Sequence, residues 1–160
     1  MRPSSFTEVN KLERTKFNVS KDTAKRTFDG IIFDSVTEMK YYRDVVLPGM
    51  ESGLIKNYEL QKPYELQPKF IHDGNVVRAI TYVADFYIEY SDGREEVIDI
   101  KGSPDSLAKL KRKMLWHKYP EITYLWICYS KIDGGWCTYE KVQAGRAERK
   151  KMRSKEKKDV

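Results

Sequence analysis

Four side chains in this sequence have the types and spacing to do chemistry on a phosphate: Glu38, Asp85, Asp99 and Lys101. Asp99 and Lys101 stand two apart in Val97 to Lys101, which reads as a strand, so they share one face roughly 7 Å apart. Asp85 lies in the preceding strand of the same hairpin. Two neighbouring carboxylates resist ionising together unless a cation sits between them. Hard oxygen donors with few other ligands suit Mg²⁺ (or Mn²⁺), which keeps several waters and takes a substrate phosphate as a further ligand. Such an ion lowers the pKa of bound water and stabilises charge on phosphorus. Lys101 would position the attacking water or neutralise the developing charge. Glu38, on a helix, could hold a second ion or orient a metal-bound water. The set Asp85, Asp99 and Glu38 as metal ligands with Lys101 as partner is the constellation of a metal-dependent nuclease.

Each residue also has a plainer role open to it. Ser35-x-x-Glu38 has the form of a capping box, which alone would explain Glu38. Asp85 could face solvent from its strand, although acids are depleted in strands. Asp99 and Lys101 could be a surface ion pair worth roughly 0–1 kcal/mol.

Geometry sets a condition on the chemical reading. A two-residue Asp92-Gly93 turn would pair Ser91 with Arg94 and set Asp85 opposite Ile100, on the face away from Asp99. The site therefore requires a bulge or an odd-length loop between Asp85 and Asp99.

The elements that must position these residues can be read in order. Phe28 to Ile31 reads as a short turn or strand edge. A helix starts at Ser35, with Val36, Met39, Tyr42 and Val46 at helical spacing, and is ended or kinked at Pro48-Gly49. A short helical stretch follows to about Gly53. Residues 57–70 read as an edge strand interrupted by Pro63 and Pro68. Ile80 to Tyr90 alternates, with Ile80, Tyr82, Ala84, Phe86, Ile88 and Tyr90 on one face. Ser91 to Arg94 is a hairpin turn. A second helix opens at Ser103-Pro104, with Leu107, Leu110, Met114 and Leu115 as its buried stripe, and closes at Pro120. Residues 122–129 form a fully apolar strand of the kind buried on both faces. The pattern is α/β: a central mixed sheet flanked by helices.

At 160 residues the chain is long enough for one domain with a real core. The expected divisions are a flexible basic arm over 1–27, a core over 28–142 and a basic tail over 143–160. The net charge of +6 is uneven. Residues 145–160 hold eight Lys/Arg against three Asp/Glu, leaving 22 against 21 elsewhere. A basic tail suits a polyanion, most often nucleic acid, or else solvation alone. Cys128 and Cys137, nine apart without clustered histidines, do not make a zinc site. Neither an export leader nor an apolar run long enough for a membrane is evident, so a cytoplasmic location is expected.

The ordered motifs resemble those of the PD-(D/E)xK nuclease superfamily. Within it, Asp29-Gly30 through Glu38, Glu65 to Phe70, Thr81 to Phe86 and Val97 to Gly102 are similar to motifs of a family of small phage and prophage proteins. The helix glutamate, Pro63-Tyr64, the acid-Phe strand and the acid-x-Lys-Gly run followed by a basic helix are similar to phage endonuclease I-type Holliday junction resolvases. The resemblance covers about residues 28–130. It implies a restriction-endonuclease-like core, with Asp85 and Asp99 as metal ligands, Lys101 as the catalytic lysine and Glu38 as the helix acid. It further implies Mg²⁺ or Mn²⁺, a branched DNA substrate, a homodimer placing two sites on two strands and a bacterial host. Ala84 stands where Pro is usual, and the second acid is Asp rather than Glu.

Phosphates need cations near the acids. Lys109, Lys111, Arg112 and Lys113 on the second helix are expected DNA contacts. So are Lys25 and Arg26, with Lys11, Arg14, Lys16 and Lys21 further along the arm. The competing class is a non-catalytic DNA-binding accessory protein in which the acids are structural. An RNA-processing nuclease on the same fold is a third reading.

Overall fold

A computed structural model describes residues 22–157. Lys11, Arg14, Lys16 and Lys21, most of the expected arm, and the last three residues of the expected tail lie outside the described residues. The described residues open with a 3-10 turn, Thr23–Arg26, capped by Asp22. A two-residue hairpin follows, β1 (Thr27–Phe28) and β2 (Ile31–Ile32). Asp29 and Gly30 both take positive φ (53° and 73°), as this tight turn demands.

Helix α1 (Val36–Tyr41) is capped by Ser35, whose Oγ accepts from the Glu38 N–H. The helix does not end at Pro48. It widens through a π segment, Tyr42–Val46, and continues as α2 (Leu47–Glu51). The Leu47 N–H reaches back five residues to the Tyr42 carbonyl. Pro48 has no N–H to give and crowds the turn before it, and the wider turn accommodates that without breaking the rod.

The central sheet has the order β3-β6-β7-β8-β9, from β3 (Ile55–Gln67), β6 (Ile80–Tyr90), β7 (Glu95–Ile100), β8 (Tyr124–Ser130) and β9 (Gly135–Thr138). All neighbours are antiparallel except β7 and β8, so the sheet is mixed. The parallel pair needs a crossover, which α3 (Ser106–Lys118) supplies. A side hairpin, β4 (Phe70–His72) with β5 (Asn75–Val77), bridges β3 and β6. Helix α4 (Tyr139–Glu156) ends the described chain. The protein is thus α/β with a five-stranded mixed central sheet and helices on both faces.

Pro63 does not interrupt β3. It pairs with Val83 inside a continuous strand, tolerated because β3 is an edge. Helix α3 starts at an Asp105 cap, after Pro104 rather than with it. The expected boundary between core and tail at 142/143 falls inside α4, an unbroken helix.

Two apolar clusters lie on the two faces. Phe33, Tyr41, Tyr42, Phe86, Ile88 and Ile98 pack beneath α1. Tyr82, Ala84, Val97, Leu115, Tyr124 and Trp126 pack beneath α3. The even-numbered residues of β6 therefore do not keep one face, as alternation would have them. The switch falls at Asp85, where Ala84, Asp85 and Phe86 are all buried. Across from it, Gln61 takes φ 55°, a left-handed kink between the Leu60–Phe86 and Lys62–Ala84 pairs. Both strands turn their side chains over together at this point.

Candidate active site

The loop between β6 and β7 has odd length. Tyr90 and Arg94 close it, the Tyr90 N–H bonding the Arg94 carbonyl at 2.8 Å, so Ser91, Asp92 and Gly93 form a three-residue turn. The ladder runs Glu89–Glu95, Tyr87–Val97 and Phe86–Ile98. Carried one residue further, this register sets Asp85 across from Asp99. The ladder stops there because β6 offers a side chain in place of its backbone. The Ile100 N–H donates to Asp85 Oδ2 at 2.8 Å.

Asp99 is 1% exposed and Asp85 4%. Neither is the solvent-facing residue that the plainer reading required. Lys101 Nζ lies 2.5 Å from Asp99 Oδ2, with its side chain 19% exposed, so this pair is no surface bridge. The Lys101 backbone is fixed on both sides of its peptide. Its N–H bonds the Ile127 carbonyl at 2.9 Å, and its carbonyl accepts from Cys128 Sγ at 2.8 Å. Cys128 is a free, buried thiol whose pKa burial pushes up.

Behind Asp99 stands an aromatic network that the sequence reading missed. Tyr124 Oη lies 3.5 Å from Asp99 Oδ2. The Tyr82 and Tyr124 hydroxyls bond one another, and Trp126 Nε1 donates to Tyr124 Oη at 2.7 Å. Burial first, and the Asp99 carboxylate second, raise both phenols above their ordinary range. The available clue was Tyr82 on the apolar face of an alternating strand and Tyr124 in a strand read as apolar, since a buried phenol needs a polar partner.

Glu38 is also buried, at 3% exposure. Its carboxylate accepts from Ser35 Oγ at 2.9 Å. Glu38 lines a cleft of about 1160 Å³ between α1, the β7–α3 connection and α4. Lys40, Arg43, Lys101 and Arg146 give its walls four cations. Asp85 and Asp99 are not among the residues that line it, whereas Ile100 and Lys101 are. Among the described residues, no three or more His, Cys, Asp and Glu side chains form a group that could hold a metal ion. The three-acid cage Asp85, Asp99 and Glu38 is therefore not assembled. What remains is the carboxylate pair, a donor set that fits Mg²⁺, which is commonly held by one or two carboxylates with water and phosphate completing its shell.

The expected DNA contacts divide. Lys109 and Lys113 are exposed on α3. Lys111 donates to the Thr81 carbonyl at 3.1 Å. Arg112 is turned inward, 2.7 Å from Glu140 and stacked over Trp126 at 4.1 Å. The buried stripe expected on α3 is displaced as well: Leu115 is buried, but Leu107 and Leu110 are exposed. Lys25 is exposed beside Asp22. Arg26 donates to the Phe33 carbonyl and holds the segment before α1. Arg112 and Arg26 are thus tied into the fold rather than presented to a ligand.

No helix among the described residues is long and apolar enough to cross a membrane. No curated protein matches the chain significantly. A family model described as a protein of unknown function (DUF1064) matches residues 14–133, a span that holds Glu38, Asp85, Asp99 and Lys101, and the chain belongs to that family.

Proposed function

We propose that this protein is a metal-dependent DNA endonuclease with a PD-(D/E)xK-type, restriction-endonuclease-like core. The observation that carries the proposal is the odd-length loop. It sets Asp85 and Asp99 at opposed register positions where the β6–β7 ladder ends, with the Lys101 ammonium on Asp99. Burying two carboxylates and an ammonium at a strand end is costly for stability alone.

In this reading Asp85 and Asp99 would hold Mg²⁺ or Mn²⁺, which would supply a more acidic water and offset charge on the phosphoryl group. Lys101, fixed by Ile127 and Cys128, stabilises the charge that builds on the phosphoryl oxygens. Glu38, in the cleft wall, orients a water. Lys40, Arg43 and Arg146 bind the flanking phosphates. A branched substrate such as a four-way junction, cut by a homodimer, is the finer form of the proposal; it rests on the motif resemblance.

The competing reading is a non-catalytic DNA-binding accessory protein. It is favoured by the direct Lys101–Asp99 contact and by the burial of both acids, which suit a structural ion pair equally well. One experiment separates the two. Labelled four-way junction and matched linear duplex are incubated with wild type and Asp99→Asn in Mg²⁺, Mn²⁺ or EDTA. Cutting that needs metal and is lost in Asp99→Asn supports the nuclease. Preference for the junction supports the finer form, whereas equal cutting of both DNAs removes it. Binding without cutting under any metal overturns the nuclease in favour of the accessory protein.

A further inference from the structure

The last two turns of α4 pose a physical problem. Residues 150–157 are all exposed and bury nothing. The four cations Arg146, Lys150, Arg153 and Lys157 follow one another at helical spacing, and like charges three and four apart repel. Among the described residues none of these four is ion-paired. Among the described residues, neither core packing nor ion pairing accounts for this face.

The helix is nonetheless clamped at its start. Thr138 caps it, and the Tyr139 ring stands edge-on to Trp126 at 5.5 Å. Val142 is buried. Arg149 then reaches Asp133 through two contacts of 2.7 and 3.3 Å. Gly145 makes that approach possible, since a Cβ there would stand 2.5 Å from Asp133 Oδ1. The charged face is therefore aimed by contacts made upstream of it. Its direction has a consequence for the cleft. Arg146 belongs both to the cleft that holds Glu38 and Lys101 and to a shallow groove of about 330 Å³ along α4, lined by Arg149, Lys150, Arg153, Ser154 and Lys157. Arg146 thus joins the cationic face of the helix to the cleft.

We propose that this face of α4 is a binding track for the phosphodiester backbone of a nucleic acid strand and delivers that strand to the cleft. At 100° per residue the four cations fall within about 60° of one another, and from Arg146 to Lys157 they span roughly 16 Å. A DNA strand in a duplex carries one phosphate per roughly 3.4 Å of axis, so about five phosphates face four cations. The contacts read charge and spacing, not bases. This inference deepens the nuclease reading by assigning the substrate surface outside the acid cluster, and it rests on that reading only for what happens in the cleft.

The test separates the two. Binding of a short labelled duplex and of a labelled single strand is followed by anisotropy, in EDTA, between about 50 and 200 mM salt. The proteins are the full chain, Lys150→Glu/Arg153→Glu/Lys157→Glu, and the gentler Lys150→Gln/Arg153→Gln/Lys157→Gln. A control carries Lys56→Glu/Lys69→Glu/Arg78→Glu, the same change of charge at other exposed sites. The glutamate variant should lose at least about 100-fold in affinity. The glutamine variant should flatten the slope of log affinity against log salt by roughly 2–3, and the control should fall far less. The form bound more tightly at equal salt is the one the track takes, since duplex gives the steeper slope even at equal contact number.

Wild-type affinity and slope in the glutamine variant, or an equal loss in the control, would overturn the track. So would a wild-type chain that binds anionic lipid vesicles but neither DNA. Binding lost on α4 substitution in a protein that cuts nothing under any metal supports the track and removes the nuclease. Cutting by a protein whose α4 variants bind normally does the reverse.

Discussion

Lys101 Nζ sits 2.5 Å from Asp99 Oδ2, two residues along the same chain direction, with Asp99 almost wholly out of solvent. An ion pair this buried behaves asymmetrically: removing one partner strands the other, while removing both is far milder. Lys101→Met is therefore expected to destabilise the fold by about 3 kcal/mol. Asp99→Asn/Lys101→Met should recover more than half of that loss. A denaturant double-mutant cycle reads the coupling. Additive single effects would mean that the two charges do not depend on each other.

Asp85 separates stability from chemistry. Its Oδ2 accepts the Ile100 N–H where the β6–β7 ladder ends. Asp85→Asn keeps an acceptor at that place and should stay within about 1 kcal/mol of wild type. Asp85→Ala leaves a buried N–H without its partner and should cost about 1–3 kcal/mol. If the nuclease proposal holds, both variants lose metal-dependent cleavage alike, although only one is destabilised. Cleavage that follows stability instead would make Asp85 a structural residue. Thermal melts and cleavage assays on the same preparations decide it.

The loop is the device that fixes the register. Gly93 takes φ 88°, a conformation that side-chain-bearing residues enter only with strain. Gly93→Ala should cost about 1 kcal/mol and leave the register unchanged. Deleting Arg94 while the three-residue turn is kept is a stronger perturbation. The turn would then close on Tyr90 and Glu95 and turn β7 inside out relative to its cluster. The shortened protein should unfold at markedly lower denaturant than Gly93→Ala. Equal midpoints would show that the strands hold their register without the loop.

How much of this was legible in the sequence can be argued residue by residue. The bounds of the Ile80–Tyr90 strand followed from its alternation, and the need for an odd loop followed from asking that Asp85 and Asp99 share a face. The face switch at Asp85 was not legible, because it depends on Gln61 in a strand that is distant in sequence but adjacent in space. The stripe on α3 was misread for a similar reason. Leu107 and Leu110 match the helical period, but Trp126 and Glu140, both remote in sequence, draw the Arg112 side chain inward. A long cationic side chain can pack its stem and stack its head where the pattern expects leucine. Over residues 143–160, charge density suggested a tail. The Thr138 cap and the Asp133–Arg149 clamp make it a helix, and Asp133 lies outside the stretch where a helix would be sought.

The tyrosines behind Asp99 give the fold a defined alkaline limit. Burial, reinforced by the Asp99 carboxylate, raises the pKa of Tyr82 and Tyr124 in the folded state above the ordinary value near 10. A group whose folded pKa is raised contributes stability that is fully present below its unfolded pKa and is lost as pH climbs toward its folded one. Stability should therefore hold up to about pH 10 and then fall by about 1.4 kcal/mol per pH unit for each phenol that stays protonated. Tyr41 and Tyr90, raised chiefly by burial as well, add to the same slope. Tyr82→Phe/Tyr124→Phe should cost about 1–2 kcal/mol near neutrality through the lost hydroxyl bonds. The same variant should lose stability more slowly than wild type above pH 10, so that the two curves converge. Urea midpoints measured between about pH 7 and 12 resolve both effects. Parallel curves across that range would show that the two phenols ionise in the fold as freely as they do in water.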